Sequence, residues 1–242
     1  MAAIRSAIFM VLIVLWTIPF SILCMLTAVL PYRARYAFTS VWNRVTIFAA
    51  RWILGIRYEL RGVENLPEKG RGAVVLAKHQ SAWETIFLLY ALGNPLCFVF
   101  KRELLMVPFF GWGLGLLRMV AIDRNSGQDA MTQTVDQARV RLADGVWMIM
   151  FPEGTRIAPG EPSKFRSGGS RLAVSLNAPI IPIAHNAGEC WPKKPWVKQA
   201  GKVTVSIGPL IETVGRPVNE VHKEMVGWIE TEMSRLPKAR EA

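Results

Sequence analysis

From Ala7 to Leu30 the chain runs twenty-four residues without a charge. As a helix this is about 36 Å long at 1.5 Å per residue, enough for the roughly 30 Å hydrocarbon core of a bilayer. A cleaved signal peptide has a shorter apolar region and a clearer cleavage site. Pro19, in mid-run, permits a kink or a re-entrant helix as well as a span. Arg33, Arg35 and Arg44 follow the run, whereas only Arg5 precedes it, so the positive-inside bias keeps the body of the chain in the cytoplasm. Residues 36–56 read as a second helix with an apolar face of Phe38, Val41, Trp42, Val45, Phe48 and Trp52. Such a face suits either the membrane interface or the core of a domain. The organisation expected is membrane-anchoring helices over residues 1–56, followed by a folded domain over 57–242.

The formal net charge is +11, and half of the residues are hydrophobic. That apolar content excludes a disordered chain. A basic surface suits anionic lipid, phosphate-bearing substrates or nucleic acid; no nucleic-acid-binding motif is present, and the apolar head points to membrane. Cys24, Cys97 and Cys190 lie far apart without metal-ligand spacing, as expected of reduced, mostly buried residues in a cytosol-facing protein. Beyond Arg57, short apolar runs at 73–77, 96–100, 146–151, 180–183 and 203–207 read as strands, several of them buried on both faces. Helical stretches near 85–92, 130–143 and 170–176 alternate with them. Val221, Met225, Trp228 and Ile229 mark a last amphipathic helix that closes before Pro237. The order predicts an α/β domain whose strand-end loops carry the chemistry.

Directly after the first of these runs stands His79-Gln80-Ser81-Ala82-Trp83-Glu84. Positions five apart on a continuous helix point about 140° from each other. For His79 and Glu84 to touch, the chain must bend between them, with His79 on a loop and Glu84 entering a helix. Such a corner can expose a base and hold it with a neighbouring acid. The plainer alternative makes Glu84 a helix N-terminal charge and His79 a hydrogen-bonded edge residue. A loop of Lys193, Lys194 and Lys198 among Trp191, Pro192, Pro195 and Trp196 reads as solvated, with phospholipid headgroups as its other possible contact. His185 and His222 read as structural or solvent-exposed.

Four further stretches place polar groups in apolar surroundings: Lys101-Arg102-Glu103-Leu104-Leu105 with Pro108-Phe109-Phe110-Gly111; Ala121-Ile122-Asp123-Arg124; Phe151-Pro152-Glu153-Gly154-Thr155-Arg156; and Ala178-Pro179-Ile180-Ile181-Pro182-Ile183. Singly, each is a strand end, a surface pair or a turn. In this order, and together with His79 to Glu84, they resemble the motifs of the glycerolipid acyltransferase family, in its bacterial lysophosphatidate-acylating branch. The resemblance runs from about Val74 to Gly188. It implies a mixed sheet flanked by helices. It implies His79 as the catalytic base, with Glu84 holding its imidazole. It assigns the acceptor phosphate to Lys101, Arg124 and Arg156, with Glu153 and Gly154 shaping the pocket around the glycerol. Lys164, Arg166 and Gly168, just beyond the third motif, add positive potential. The family's acidic residue is usually Asp, and Glu84 departs from it by one methylene.

The reaction implied is transfer of a fatty acyl group from acyl-CoA or acyl-carrier protein to the sn-2 hydroxyl of lysophosphatidate, giving phosphatidic acid at the cytoplasmic face of the inner membrane, among membrane phospholipids. No Ser or Cys stands in a nucleophile elbow, so direct transfer is the economical route. Neither metal-ligand spacing nor a nucleotide-binding glycine loop is present, and no metal, cofactor or nucleic acid is implied. Two alternatives stay open: an acyltransferase for another lysolipid such as lyso-ornithine lipid, and a catalytically impaired lipid-binding protein with Glu84 as the symptom.

Overall fold

The structure is a computed structural model that describes residues 1–107, 110–122 and 128–240, with only the backbone of residues 101, 110 and 128–131. Helix α1 (Ala2–Leu26) and helix α2 (Tyr32–Ala49) come first, α2 ending in a wider turn at Ala50–Leu54. The strands are β1 (Ile56–Arg61), β2 (Val74–Ala77), β3 (Leu96–Lys101), β4 (Val120–Ile122), β5 (Trp147–Met150), β6 (Ile180–His185) and β7 (Gly201–Ile207). Between and after them lie α3 (Trp83–Ala91), α4 (Phe110–Leu116), α5 (Gln128–Ala143), α6 (Gly168–Ser175) and α7 (Val218–Arg235).

The strands form one sheet in the order β1-β7-β6-β2-β5-β3-β4. The five strands from β6 to β4 run parallel to each other, while β7 is antiparallel to β6 and β1 follows β7. All residues of β2 and β6 are buried, which is why these two read as unbroken apolar runs rather than alternating ones. Side chains still alternate across the sheet. Val75 and Ala77 face a core shared with Phe9 of α1, Ile47 of α2 and Trp83 and Phe87 of α3. Val74 and Leu76 face a second core, closed by Ala138 of α5, Leu172 of α6 and Val221 and Met225 of α7. The result is a three-layered α/β/α arrangement.

Pro182 sits inside β6, where a proline ordinarily removes a ladder bond. Its carbonyl accepts from the Gly208 amide at 2.9 Å, and the β6–β7 ladder begins only at Ile183. The missing N–H therefore falls where β7 has already left the sheet.

Helix α1 continues through a tighter turn to Val29 and is the one described helix long and apolar enough to cross a membrane; most of it is exposed. Two residues of its first turns are the exception: Phe9 is buried edge-on against Trp191, with ring centroids 5.3 Å apart, and Ser6, also buried, accepts from the Lys198 amide at 2.8 Å. The apolar face expected on the second helix divides. Phe38 stacks on Phe20 and Trp42 donates to Thr17 of α1, whereas Phe48 and Trp52 stay exposed. Lys198 departs from the solvated loop expected around it, because its side chain is buried over the Trp191 ring and donates to the Trp196 carbonyl.

Candidate active site

Five parallel strands end on one edge of the sheet, and the polar motifs follow them there. His79 stands two residues beyond β2, Phe151 begins the turn after β5, and His185 ends β6. Clefts at the carboxyl ends of parallel strands are where α/β folds bind ligands. β3 reaches the same edge at Lys101 and β4 at Ile122. The Lys101 side chain and all of Asp123 and Arg124 lie outside the described residues. Arg102, next to Lys101, opens a turn of 3-10 helix and is exposed.

The bend between His79 and Glu84 is built as a helix start. Ala82 already has helical angles, Ser81 Oγ accepts from the Trp83 amide at 2.8 Å, and Glu84 reaches back to the Ser81 amide at 3.0 Å. This is a capping box, Ser-x-x-Glu, in which each side chain satisfies an amide that the helix leaves free. The Glu84 carboxylate, fully buried, also accepts from the Gln80 amide at 3.1 Å, from Ser81 Oγ at 2.6 Å, and from His79 Nδ1 at 2.8 Å. Burial pushes the carboxyl up, but the His79 hydrogen bond, the nearby His185 and Ser81 outweigh it and hold the group below the usual carboxylate value. A carboxylate only accepts, so His79 Nδ1 carries the proton and Nε2 carries the lone pair. That nitrogen has no partner among the described residues, and the side chain is 15% exposed. The ring lies flat on Phe151, with centroids 4.0 Å apart.

Glu153 takes a place different from the expected one at the glycerol. It is buried, and its oxygens accept from the His79 amide at 2.6 Å, from Lys78 Nζ and from Ser163 Oγ. Lys78 Nζ donates also to Ser163 Oγ at 2.8 Å. The third motif thereby grips the backbone of His79 itself. Ile157 adds a second strut, its amide donating to the His79 carbonyl at 2.9 Å. Gly154 turns with φ +69°, and a Cβ there would meet the Arg166 guanidinium at 3.4 Å. Arg156 is half-buried and has no ion pair or hydrogen bond among the described residues; Arg166 and Lys164 are exposed. Lys78, Ser81 and Ser163 were missed in the sequence. Only Ser81 left a local signal, the Ser-x-x-Glu spacing; Lys78 and Ser163 are eighty-five residues apart.

His185 is fully buried, donating from Nε2 to the Lys78 carbonyl at 2.7 Å and accepting at Nδ1 from the Ala187 amide at 3.3 Å. Burial holds its imidazole below the ordinary 6.5, against the opposing pull of Glu84. An unfolded chain therefore binds a proton that the folded one refuses, and this contribution to stability is complete above pH 6.5 and falls away below it. Glu84, with its carboxyl lowered, adds a second loss that begins only below about 4.5. Thermal unfolding of the full chain should show a midpoint that declines from pH 7 to 5, and His185→Gln should flatten that decline. An unchanged slope in the variant would place the sensitivity elsewhere.

Comparison with known proteins gives a consistent set. The family model described as Acyltransferase matches residues 57–186. The 1-acyl-sn-glycerol-3-phosphate acyltransferase of Pseudomonas aeruginosa is 47% identical over 212 residues, 86% of this chain and 81% of that protein. The mouse 1-acyl-sn-glycerol-3-phosphate acyltransferase alpha is 30% identical over 180 residues, 74% of this chain and 63% of its own length. Among solved structures, the 1-acyl-sn-glycerophosphate acyltransferase PlsC of Thermotoga maritima superposes with a TM-score of 0.81 at 21% identity, covering 99% of this chain and 98% of that one, a likeness of fold.

Proposed function

This chain belongs to the acyltransferase family, and we propose that it transfers a fatty acyl group from a thioester donor, acyl-CoA or acyl-carrier protein, to the sn-2 hydroxyl of 1-acyl-glycerol-3-phosphate, making phosphatidic acid. The observation that carries this is the His79–Glu84 pair, 2.8 Å apart at the edge where five parallel strands end, with Nε2 left open.

In this reading Nε2 of His79 removes the hydroxyl proton as the oxygen attacks the thioester carbonyl. The imidazolium that forms is stabilised by the Glu84 carboxylate, and collapse of the tetrahedral intermediate releases the thiolate. A thiol of pKa near 8.5, roughly, leaves with little acid assistance. Glu153, drawn into the protein by Lys78 and Ser163, positions His79 through its amide rather than touching glycerol. Lys101, Arg124 and Arg156 are proposed to bind the acceptor phosphate, and Gly154 to leave room for the glycerol.

Residues 1–56 are proposed to hold the domain on the cytoplasmic face of the inner membrane, where the acceptor's tail stays in the leaflet. Extracting even ten methylenes would cost about 8 kcal/mol at 0.8 kcal/mol each. The reading is tested by incubating the purified full chain in phospholipid micelles with lysophosphatidate and labelled acyl-CoA or acyl-carrier protein. Phosphatidic acid is the expected product; silence on both donors, or acylation of a phosphate-free lysolipid alone, would reject it.

Arg156 has a separate signature. Because it binds a group that does not react, Arg156→Ala should raise the KM for lysophosphatidate by about tenfold or more while kcat changes less. Arg156→Lys should recover only part of this, since an ammonium is a point charge and not a planar fork. A change confined to the KM of the donor would move Arg156 to the thioester.

A further inference from the structure

At the opposite edge of the sheet, where β3 and β5 begin, lies a cavity of about 680 Å³ between α2 and the strand starts. One strand length of four to six residues, roughly 13–20 Å, separates this edge from the one that carries His79. Arg33, Arg44, Lys69 and Arg118 line the cavity, against a single carboxylate, Asp144. Asp144 is already paired with Arg118 at 3.1 Å. The side chains of Arg33, Arg44 and Lys69 have no ion pair or hydrogen bond among the described residues. Three uncompensated cations around a concavity focus a positive potential into it.

Two features show that this wall is built. Arg118 is held at φ +54°, a conformation seldom adopted by residues with a side chain. Its guanidinium lies over the Tyr32 ring at 5.1 Å, and Arg141 Nε donates to its carbonyl at 2.8 Å. The Tyr32 hydroxyl, in the same wall, is buried without a hydrogen-bond partner. The chain leading into the wall is apolar: Leu26, Val29 and Leu30, all exposed, stand at the end of α1 and just after it, immediately before the lining residues Pro31, Tyr32 and Arg33. A ligand that fits carries a phosphate for the cations and acyl chains that continue along α1.

We propose that this cavity is a second lipid site, distinct from the His79 site, which takes the phosphodiester headgroup of an anionic diacyl phospholipid of the surrounding membrane. Such a site goes beyond the acyl-transfer reading and does not depend on it. It fixes the protein on membranes that carry anionic lipid.

The test titrates the full-length protein, in neutral detergent, with short-chain phosphatidylglycerol, which is neither substrate nor product of the proposed reaction. One saturable site is expected, with phosphatidylcholine of the same chain length and inorganic phosphate both binding at least tenfold more weakly. Arg33→Gln with Lys69→Gln removes two exposed, unpartnered cations from the cavity and should weaken binding by about tenfold to thirtyfold. Arg171→Gln with Lys223→Gln removes the same charge from the far helical layer and should leave affinity unchanged. Equal losses in the two pairs would reduce the effect to diffuse surface charge and overturn the site, as would full binding by the cavity variant. Inorganic phosphate binding as tightly as the lipid would overturn the lipid assignment. Phosphatidic acid synthesis, assayed on the same samples, keeps the outcome separate from that of the acyl-transfer reading.

Discussion

Alanine in place of His79 is expected to leave a folded, membrane-associated protein whose formation of phosphatidic acid is at least about 10²–10⁴-fold slower, the range that a general base supplies. The side chain is partly exposed and its one hydrogen bond goes to Glu84, so the fold loses little. The Glu84 variants divide two roles that this carboxylate combines. Glu84→Gln retains length and can still accept from Gln80 and Ser81. It removes the charge that stabilises the imidazolium and turns an amide donor toward groups that already donate. Its rate should fall severely. Glu84→Asp keeps the charge but shortens the reach, so that either His79 or the amides lose their acceptor. Measurable activity should remain in that variant. Turnover of Glu84→Gln at the wild-type rate would sink the dyad.

The second large effect lies in a residue of α1. Phe9→Ala should destabilise the whole domain by about 3–5 kcal/mol, the usual result of emptying a buried aromatic site. That is a large part of the roughly 5–15 kcal/mol that holds a domain together. Phe9 packs on Trp191 and shares a core with Val75, Ile149 and Val203 of the sheet. Leu15→Ala, on the same helix but 63% exposed, is the control and should change stability in detergent by less than about 0.5 kcal/mol. Removing residues 1–56 strips Ile47, Ala50 and Leu54 from that core as well as Phe9, and should yield insoluble protein rather than a released, active domain. Equal melting of Phe9→Ala and wild type would show that α1 only tethers.

Much of this was legible in the sequence because its signals are local. The strands expected at 73–77, 96–100 and 180–183 stand within a few residues of β2, β3 and β6, since their apolar runs are buried on both faces. β1 is not among the expected strands, although Ile56-Arg57-Tyr58-Glu59-Leu60-Arg61 alternates apolar and charged residues as a half-buried strand does; the helix expected to run to residue 56 hides its start, and its pairing with β7 makes it the edge strand. β4 has three residues, too few for a period to register. At the site, the spacing of His79 and Glu84 says only that a contact would need a bend; the resemblance to the acyltransferase motifs pairs them, and both the bend and the contact are there. The Lys78–Glu153–Ser163 cluster did not follow from anything nearby, because it joins the ends of β2 and β5 with a distant loop. Glu153 looked like a ligand-facing residue for the same reason: a motif gives spacing, not the direction in which a carboxylate turns.

The capping box at Ser81 and Glu84 has a further consequence for how the protein ages and warms. The first turn of α3 does not fray as an exposed helix end would, because Trp83 and Glu84 are fully buried and Trp83 belongs to the core. Its opening would release the Ser81 and Gln80 amides and, in the same event, let the imidazole swing free. The geometry at His79 is thereby tied to the core around Trp83, and heat should undo both together. Hydrogen exchange at those two amides would report, in the absence of any substrate, the fraction of molecules able to react.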